Sequence, residues 1–187
     1  MTRRSAFIQR IVKGLARFRR DDGGMAAVEI ALLLPLMVSL YFGAVQLSQA
    51  VSARSNVTLT ARTVSDLVSR VTTINNADMA NALNASAAVM APFPVNNLKV
   101  TVSSVLIDAN GKATIAWSDT LNGSARAVGS VVTLPAALNV ANTSLIWAEV
   151  QYAYTPTIGY VITGTLQLKD QMFMGPRVSN TVARTAT

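Results

Sequence analysis

No residue between Ile30 and Ala53 carries a charge, and residues 25–47 are interrupted only by Glu29 near the start and by Ser39, Gly43 and Gln46 in the second half. At 1.5 Å per residue, about 20 apolar residues cross a hydrocarbon core of roughly 30 Å. Residues 25–47 are therefore predicted to form a membrane helix at some stage. Past Leu47 the helical pattern continues but changes character. Val57, Ala61, Val64, Val68 and Val71 recur at steps of four and three, a single apolar stripe. Arg62, Asp66 and Arg70 stand at i, i+4 spacings on the other side, suited to surface ion pairs. The pattern predicts one helix of roughly 45 residues, about 65 Å by rise. That is a spine, too long for a compact domain of this size.

A second helix is expected over residues 78–90, where Met79, Leu83, Ala87 and Met90 share a face, Asn76 or Asp78 can cap the start, and Pro92 with Pro94 ends it. The rest reads as strands. Residues 98–107 and 113–118 flank Asp108-Ala109-Asn110-Gly111-Lys112, whose Asn-Gly pair favours the positive φ angles of a hairpin turn. In residues 145–154, Ile146, Ala148, Val150, Tyr152 and Tyr154 point one way and Leu145, Trp147, Glu149 and Gln151 the other. Residues 165–174 alternate Leu166, Leu168 and Met172 against Gln167, Lys169 and Gln171. Four strands with short connections predict an antiparallel sheet, one face of which covers the apolar stripe of the spine helix. Tyr152 and Tyr154, two aromatics at spacing two, belong to the core on this reading. Glu149 is either an edge charge that discourages aggregation or a partner of Arg177. Residues 122–126 read as an exposed loop, an ordinary turn in preference to a functional tip.

Composition narrows the function. Charged residues are 13% of the chain, about half the share usual in soluble proteins. The pI of 10.4 would suggest nucleic acid. However, Arg3, Arg4, Arg10, Lys13, Arg17, Arg19 and Arg20 are seven of the 16 Lys and Arg, and with Asp21 and Asp22 they put +5 of the overall +7 into the first 24 residues. A basic tail before a hydrophobic span marks the cytoplasmic side, so no nucleic-acid partner is expected. The chain has no cysteine and no histidine. It therefore has no disulfide framework, no zinc site of the usual ligands, and no Ser-His or Cys-His pair. Acidic residues after Glu29 are scattered, and Gly111-Lys112 lacks the glycine-rich lead-in of a phosphate loop. No cofactor, no metal and no enzymatic activity are expected.

Three readings share the hydrophobic segment. A secretory signal peptide would use Ser48-Gln49-Ala50 or Val51-Ser52-Ala53 as its cleavage site, with an apolar region longer than the usual 7 to 15 or so residues. A plain single-pass anchor fits the charge asymmetry but leaves Glu29 unexplained, since a carboxylate in an apolar span costs roughly 2.5 to 3.5 kcal/mol at mid-membrane. In the third reading the chain is cut after Gly24. Met25 then gains a free α-ammonium, and Glu29 becomes the fifth residue of the mature chain, where the helix dipole favours a carboxylate. Glu29 can also meet the ammonium of a neighbouring subunit and set axial register, as a single polar residue does in a coiled coil.

The basic leader, the Gly at the junction and the Glu five residues on resemble the pilin and pseudopilin class. The stretch GGMAAVEIALLLPLMVSLYFGAVQLSQA is similar to the start of TadE-like minor pseudopilins of the tight-adherence (Flp) branch of type IV pili. AEVQYAYTP at residues 148–156 and MGPR at residues 174–177 resemble that family's C-terminal pattern. Ile30 departs from the aromatic that usually follows the Glu in major Flp pilins. With the sizeable head, that departure argues for a minor component.

The resemblance implies an α+β, pilin-like fold: a long N-terminal helix, membrane-spanning in its first half and amphipathic in its second, packed on a small antiparallel β-sheet head. The expected organisation is a leader at residues 1–24, a transmembrane helix at 25–47, the amphipathic continuation and second helix at 48–97, and a β-rich extracytoplasmic head at 98–187. A prepilin peptidase is expected to cut between Gly24 and Met25, with Glu29 serving register or processing. Pro35 either simply kinks the helix or loosens it for extraction from the bilayer during assembly. The implied partners are the bilayer, the peptidase and other pilins and pseudopilins, and the implied location is the cytoplasmic membrane with the N-terminus inside. The alternative is a single-pass membrane-anchored binding module outside any pilus.

Overall fold

The computed structural model describes residues 22–156 and 163–185. The basic segment at residues 1–21 lies outside them. Helix α1 runs over Asp22–Ser69, 48 residues, or about 72 Å by rise. Pro35 does not end it. Hydroxyls along its length fold back onto the carbonyl four residues earlier, among them Ser39 Oγ on Pro35 (2.7 Å), Ser52 on Ser48 (2.9 Å) and Ser65 on Ala61 (2.8 Å). Such bonds let a polar residue sit in a helix whose surroundings offer no water.

The strand Thr73–Ile74 (β1) leads into helix α2, Asn76–Ala88. Its cap is Asn75, one position before the expected Asn76. Asn75 takes extended dihedrals, and its Oδ1 accepts the N–H of Asp78 at 2.8 Å. Asp78 is thus inside the first turn as an acidic residue, and the helix begins and ends two residues earlier than its apolar spacing predicted.

Five strands follow: Leu98–Ile107 (β2), Ala113–Leu121 (β3), Val131–Val132 (β4), Thr143–Tyr154 (β5) and Leu166–Met174 (β6). They form one antiparallel sheet in the order β4-β3-β2-β5-β6. A last strand, Ala183–Arg184 (β7), pairs in parallel with β1. The expected four strands are all present, but β3 runs three residues further than the alternation suggested. The short β4 and the β1–β7 pair were not foreseen, because two-residue strands carry no period. The Asn110-Gly111 turn joins β2 to β3 as predicted, but of the pair only Gly111 takes a positive φ. Gly111 has φ +77°, and Asp108 Oδ1 accepts the N–H groups of Asn110 and Lys112, each at 2.8 Å.

The sheet lays one face on the second half of α1. Ala53, Val57, Ala61, Val64 and Val68 of the helix meet Ile146, Ala148, Val150, Tyr152 and Tyr154 of β5, with Leu98, Val100 and Val102 behind them and Met79, Leu83 and Met90 closing the end. The helix side of this contact is alanine and valine, which lets backbone approach backbone closely. The opposite face has its own smaller core of Val105, Ile107, Ala113, Ile115, Leu134 and Trp147, covered by the segment that carries β4.

Candidate functional site

Helix α1 divides into a bare half and a covered half. From residue 24 to residue 38 every side chain is exposed, while every side chain just named from its second half is at most 1% exposed. The helix over Gly24–Ser69 is long and apolar enough to cross a membrane by length and composition, and its most apolar stretch has none of its residues buried. Nothing among the described residues of the head folds back over this surface, so its apolar side chains have lipid or other protein as their remaining ways to leave water.

The sequence-marked residues cluster at the start of this bare half. Gly24 lies inside the first turn of α1, and a Cβ built there meets nothing within 4 Å among the described residues. Packing among the described residues therefore does not require a glycine at that position. Met25 follows, 71% exposed. Glu29 stands one turn on, exposed and on the same side as Met25, with the Cα atoms about 6 Å apart by rise. It is the eighth residue of α1, about two turns from the helix N-terminus and beyond the first turn over which the dipole acts. Pro35 lacks the N–H that the carbonyl of Ala31 would otherwise accept from.

The C-terminal stretches singled out in the sequence have a positional role. Ala148, Val150, Tyr152 and Tyr154 form the helix-facing row of β5, and Phe93 meets both tyrosine rings edge-on, with centroids 6.2 and 6.0 Å away. Burial pushes the Tyr152 phenol up, opposed by its hydrogen bond with Asn97. Residues 174–177 tie down the far end of α1. Ser69 Oγ lies 3.3 Å from Met174 Sδ, Arg177 N–H donates to the Ser69 carbonyl at 2.8 Å, and Arg177 Nη2 reaches Asp66 at 2.8 Å. The hydrogen bond from Arg70 holds the Asp66 carboxyl below the usual range, and the charges of Arg177 and Arg70 add to it against some desolvation.

Glu149 is neither an edge charge nor a partner of Arg177. Both its oxygens accept from Arg126, at 2.8 Å each, and the guanidinium carbon lies 4.0 Å from the centroid of the Trp147 ring. Trp147 in turn stacks on Phe173 with centroids 5.3 Å apart. The loop of residues 122–126 is thereby folded onto the sheet. Arg184 likewise bonds Asp119, Asn76 Oδ1 and the Ile74 carbonyl, closing the β1–β7 pair. Sequence reading missed both arginines, since their partners are 23 and 65 positions away. No group of three or more His, Cys, Asp and Glu that can hold a metal occurs among the described residues.

No curated protein and no solved structure matches the chain. The family model described as TadE-like protein matches residues 24–66. That span opens at the glycine before Met25 and closes at the aspartate that Arg177 holds, so the N-terminal helix of the chain is similar to that of TadE-like proteins.

Proposed function

We propose that the chain is the precursor of a minor pseudopilin that takes part in assembling a tight-adherence pilus. The observation that carries this reading is the division of α1, with one half sealed into a head and the other bare, apolar and headed by Glu29 five positions after Gly24. A plain anchor needs the bare half but has no use for an acid at its head. A subunit that leaves the bilayer for a fibre uses both. Its apolar surface exchanges lipid for neighbouring helices, and its carboxylate neutralises an ammonium that would otherwise be buried alone.

On this reading residues 1–24 are a leader whose positive charge keeps it in the cytoplasm, and residues 25–47 span the membrane. Residues 48–97 continue the helix and add α2, and residues 98–187 make the extracytoplasmic head. A prepilin peptidase cuts between Gly24 and Met25. The partners are that peptidase and other pilins and pseudopilins, and the chain acts as a structural subunit, not as a catalyst. Pro35, which removes one backbone bond from the bare half, loosens it for extraction.

The test is N-terminal sequencing of the cellular protein with the peptidase present and absent. Met25 as first residue only when the peptidase is present is the expected result. An N-terminus at Met1 in both cases would leave a membrane-anchored module, and one near Val51 or Arg54 would indicate a signal peptide.

A further inference from the structure

The face of the sheet turned away from α1 is covered only in part. Ala148, Val150, Tyr152 and Tyr154 face the helix, so Glu149 and Gln151 of β5 stand on the other side. There Trp147 and its apolar neighbours lie under the segment that carries β4, whereas Lys99, Gln151, Lys169 and Gln171 are exposed. Strand register sets this open part in two rows. Lys99 of β2 lies opposite Gln151 of β5, and Gln151 opposite Lys169 of β6. In the next row Thr101 lies opposite Glu149, and Glu149 opposite Gln171. Two depressions of about 380 and 360 Å³ adjoin here and share Glu149 and Gln151.

Of the charges on these rows, the two lysines are left over. Glu149 is neutralised by Arg126, which donates to both its oxygens. Asp170 lies opposite Val150 and so belongs to the helix-facing row. Its carboxylate accepts from the Thr58 hydroxyl, in a groove that Arg54 and Arg62 also line, and from the Gln171 N–H at 2.9 Å. The ion pairs among the described residues employ Arg70, Arg126, Arg177 and Arg184. Neither Lys99 nor Lys169 takes part in one. Two strand spacings separate them, which puts their Cα atoms about 10 Å apart.

Such a surface suits a ligand that is both anionic and rich in hydroxyls. The Gln151 amide, between the lysines, can donate and accept. Gln171 accepts from the Trp147 indole at 3.3 Å and keeps its amide N–H groups for a ligand. A single-stranded nucleic acid would need open aromatic faces for its bases. Trp147 does not supply one, since it is 8% exposed, with Arg126 over its ring and Phe173 stacked on it. An extended glycan meets both demands. Each sugar advances the chain by about the spacing of neighbouring strands, so carboxylates on alternate sugars reach Lys99 and Lys169 while the sugar between them lies over Gln151. We propose that the open face of β2, β5 and β6 binds an acidic polysaccharide, with Lys99 and Lys169 taking its carboxylates and Gln151 the hydroxyls between. The inference goes beyond the pseudopilin reading, and neither Gly24 nor Glu29 enters it.

The experiment titrates the full chain, in a neutral detergent, with a hyaluronan hexasaccharide, which carries carboxylates on alternate sugars. Chitohexaose, which carries none, hexaglutamate and a short single-stranded oligodeoxynucleotide are the comparison probes. Saturable binding of the hyaluronan probe, tighter than that of the other three, is the expected result. Lys99→Gln and Lys169→Gln should each weaken it about tenfold, and Lys99→Arg should retain it. Lys112→Gln removes the same charge between β2 and β3 and should leave binding unchanged, with all variants unfolding at the temperature of the parent. Absence of saturable hyaluronan binding, equal or tighter binding of any comparison probe, or equal losses in Lys112→Gln and Lys99→Gln would overturn the inference.

Discussion

Arg177 Nη2 lies 2.8 Å from Asp66 Oδ1, joining the last part of the chain to the final turns of the helix that begins it. The same residue gives its N–H to the Ser69 carbonyl, one of the four that a helix end leaves without an internal partner. The last turn of α1 has no basic residue within it, so Arg177 and Arg70 supply from outside the positive charge that the helix C-terminus favours.

Asp66 makes this junction sensitive to acid. Its folded pKa is depressed, so the stability it contributes is present above the unfolded value near 3.9 and is lost as pH falls through the lower folded value. Thermal unfolding of the full chain in detergent should show Asp66→Asn less stable than the parent at neutral pH. The gap should close as the pH drops below about 4. A gap that stays constant down to the acid limit would mean the carboxylate is not the source.

Arg126 and Glu149 hold the outer face of the sheet through a bidentate pair set over Trp147. The two side chains are 34% and 23% exposed, so solvent screens part of the interaction. Arg126→Ala should cost about 1–2 kcal/mol. Trp147 should gain access to a fluorescence quencher in that variant, whereas an exposed substitution such as Lys112→Ala should leave both readouts in place.

The two core tyrosines should respond oppositely to loss of their hydroxyls. Tyr152 bonds Asn97, and Tyr152→Phe should lower stability by about 1 kcal/mol. The Tyr154 hydroxyl is buried without a hydrogen-bond partner among the described residues, so Tyr154→Phe removes an unsatisfied group and should be neutral or stabilising by up to about 1 kcal/mol. Denaturant midpoints of the two variants would decide it, and equal losses would refute the distinction.

Gly24 should separate folding from processing. A side chain there meets nothing, and replacing a helical glycine by alanine raises helix propensity by roughly 0.5–1 kcal/mol, so Gly24→Ala and Gly24→Arg should both leave the unfolding of the head unchanged. Gly24→Arg should nevertheless accumulate as a chain beginning at Met1. Glu29→Lys should block processing or piliation, again without change to the head. Loss of head stability in either variant would make these residues structural instead.

Period and composition carried the long helix, the membrane-length apolar run, the valine stripe and the four main antiparallel strands into view, though not the order that sets β2 between β3 and β5. Each depends on which way a side chain points from its own backbone, and that repeats every 3.6 or two residues. The Asn110-Gly111 hairpin was legible for the same reason, since a turn is settled by four or five adjacent residues. The local pattern did not settle the partners. Glu149 chose Arg126 over Arg177, Arg177 went to Asp66, Arg184 bridged Asp119 to the first helix's exit, and Asn75 took the cap expected of its neighbour. An ion pair is fixed by where the ends of two long side chains arrive once the backbone is folded, and no spacing in the chain records that. For the start of α1 the balance is reversed. The tertiary structure adds only that nothing among the described residues covers Gly24, Met25 and Glu29; on the proposed function, the contacts that give those residues a role are made with the bilayer, a peptidase and neighbouring subunits.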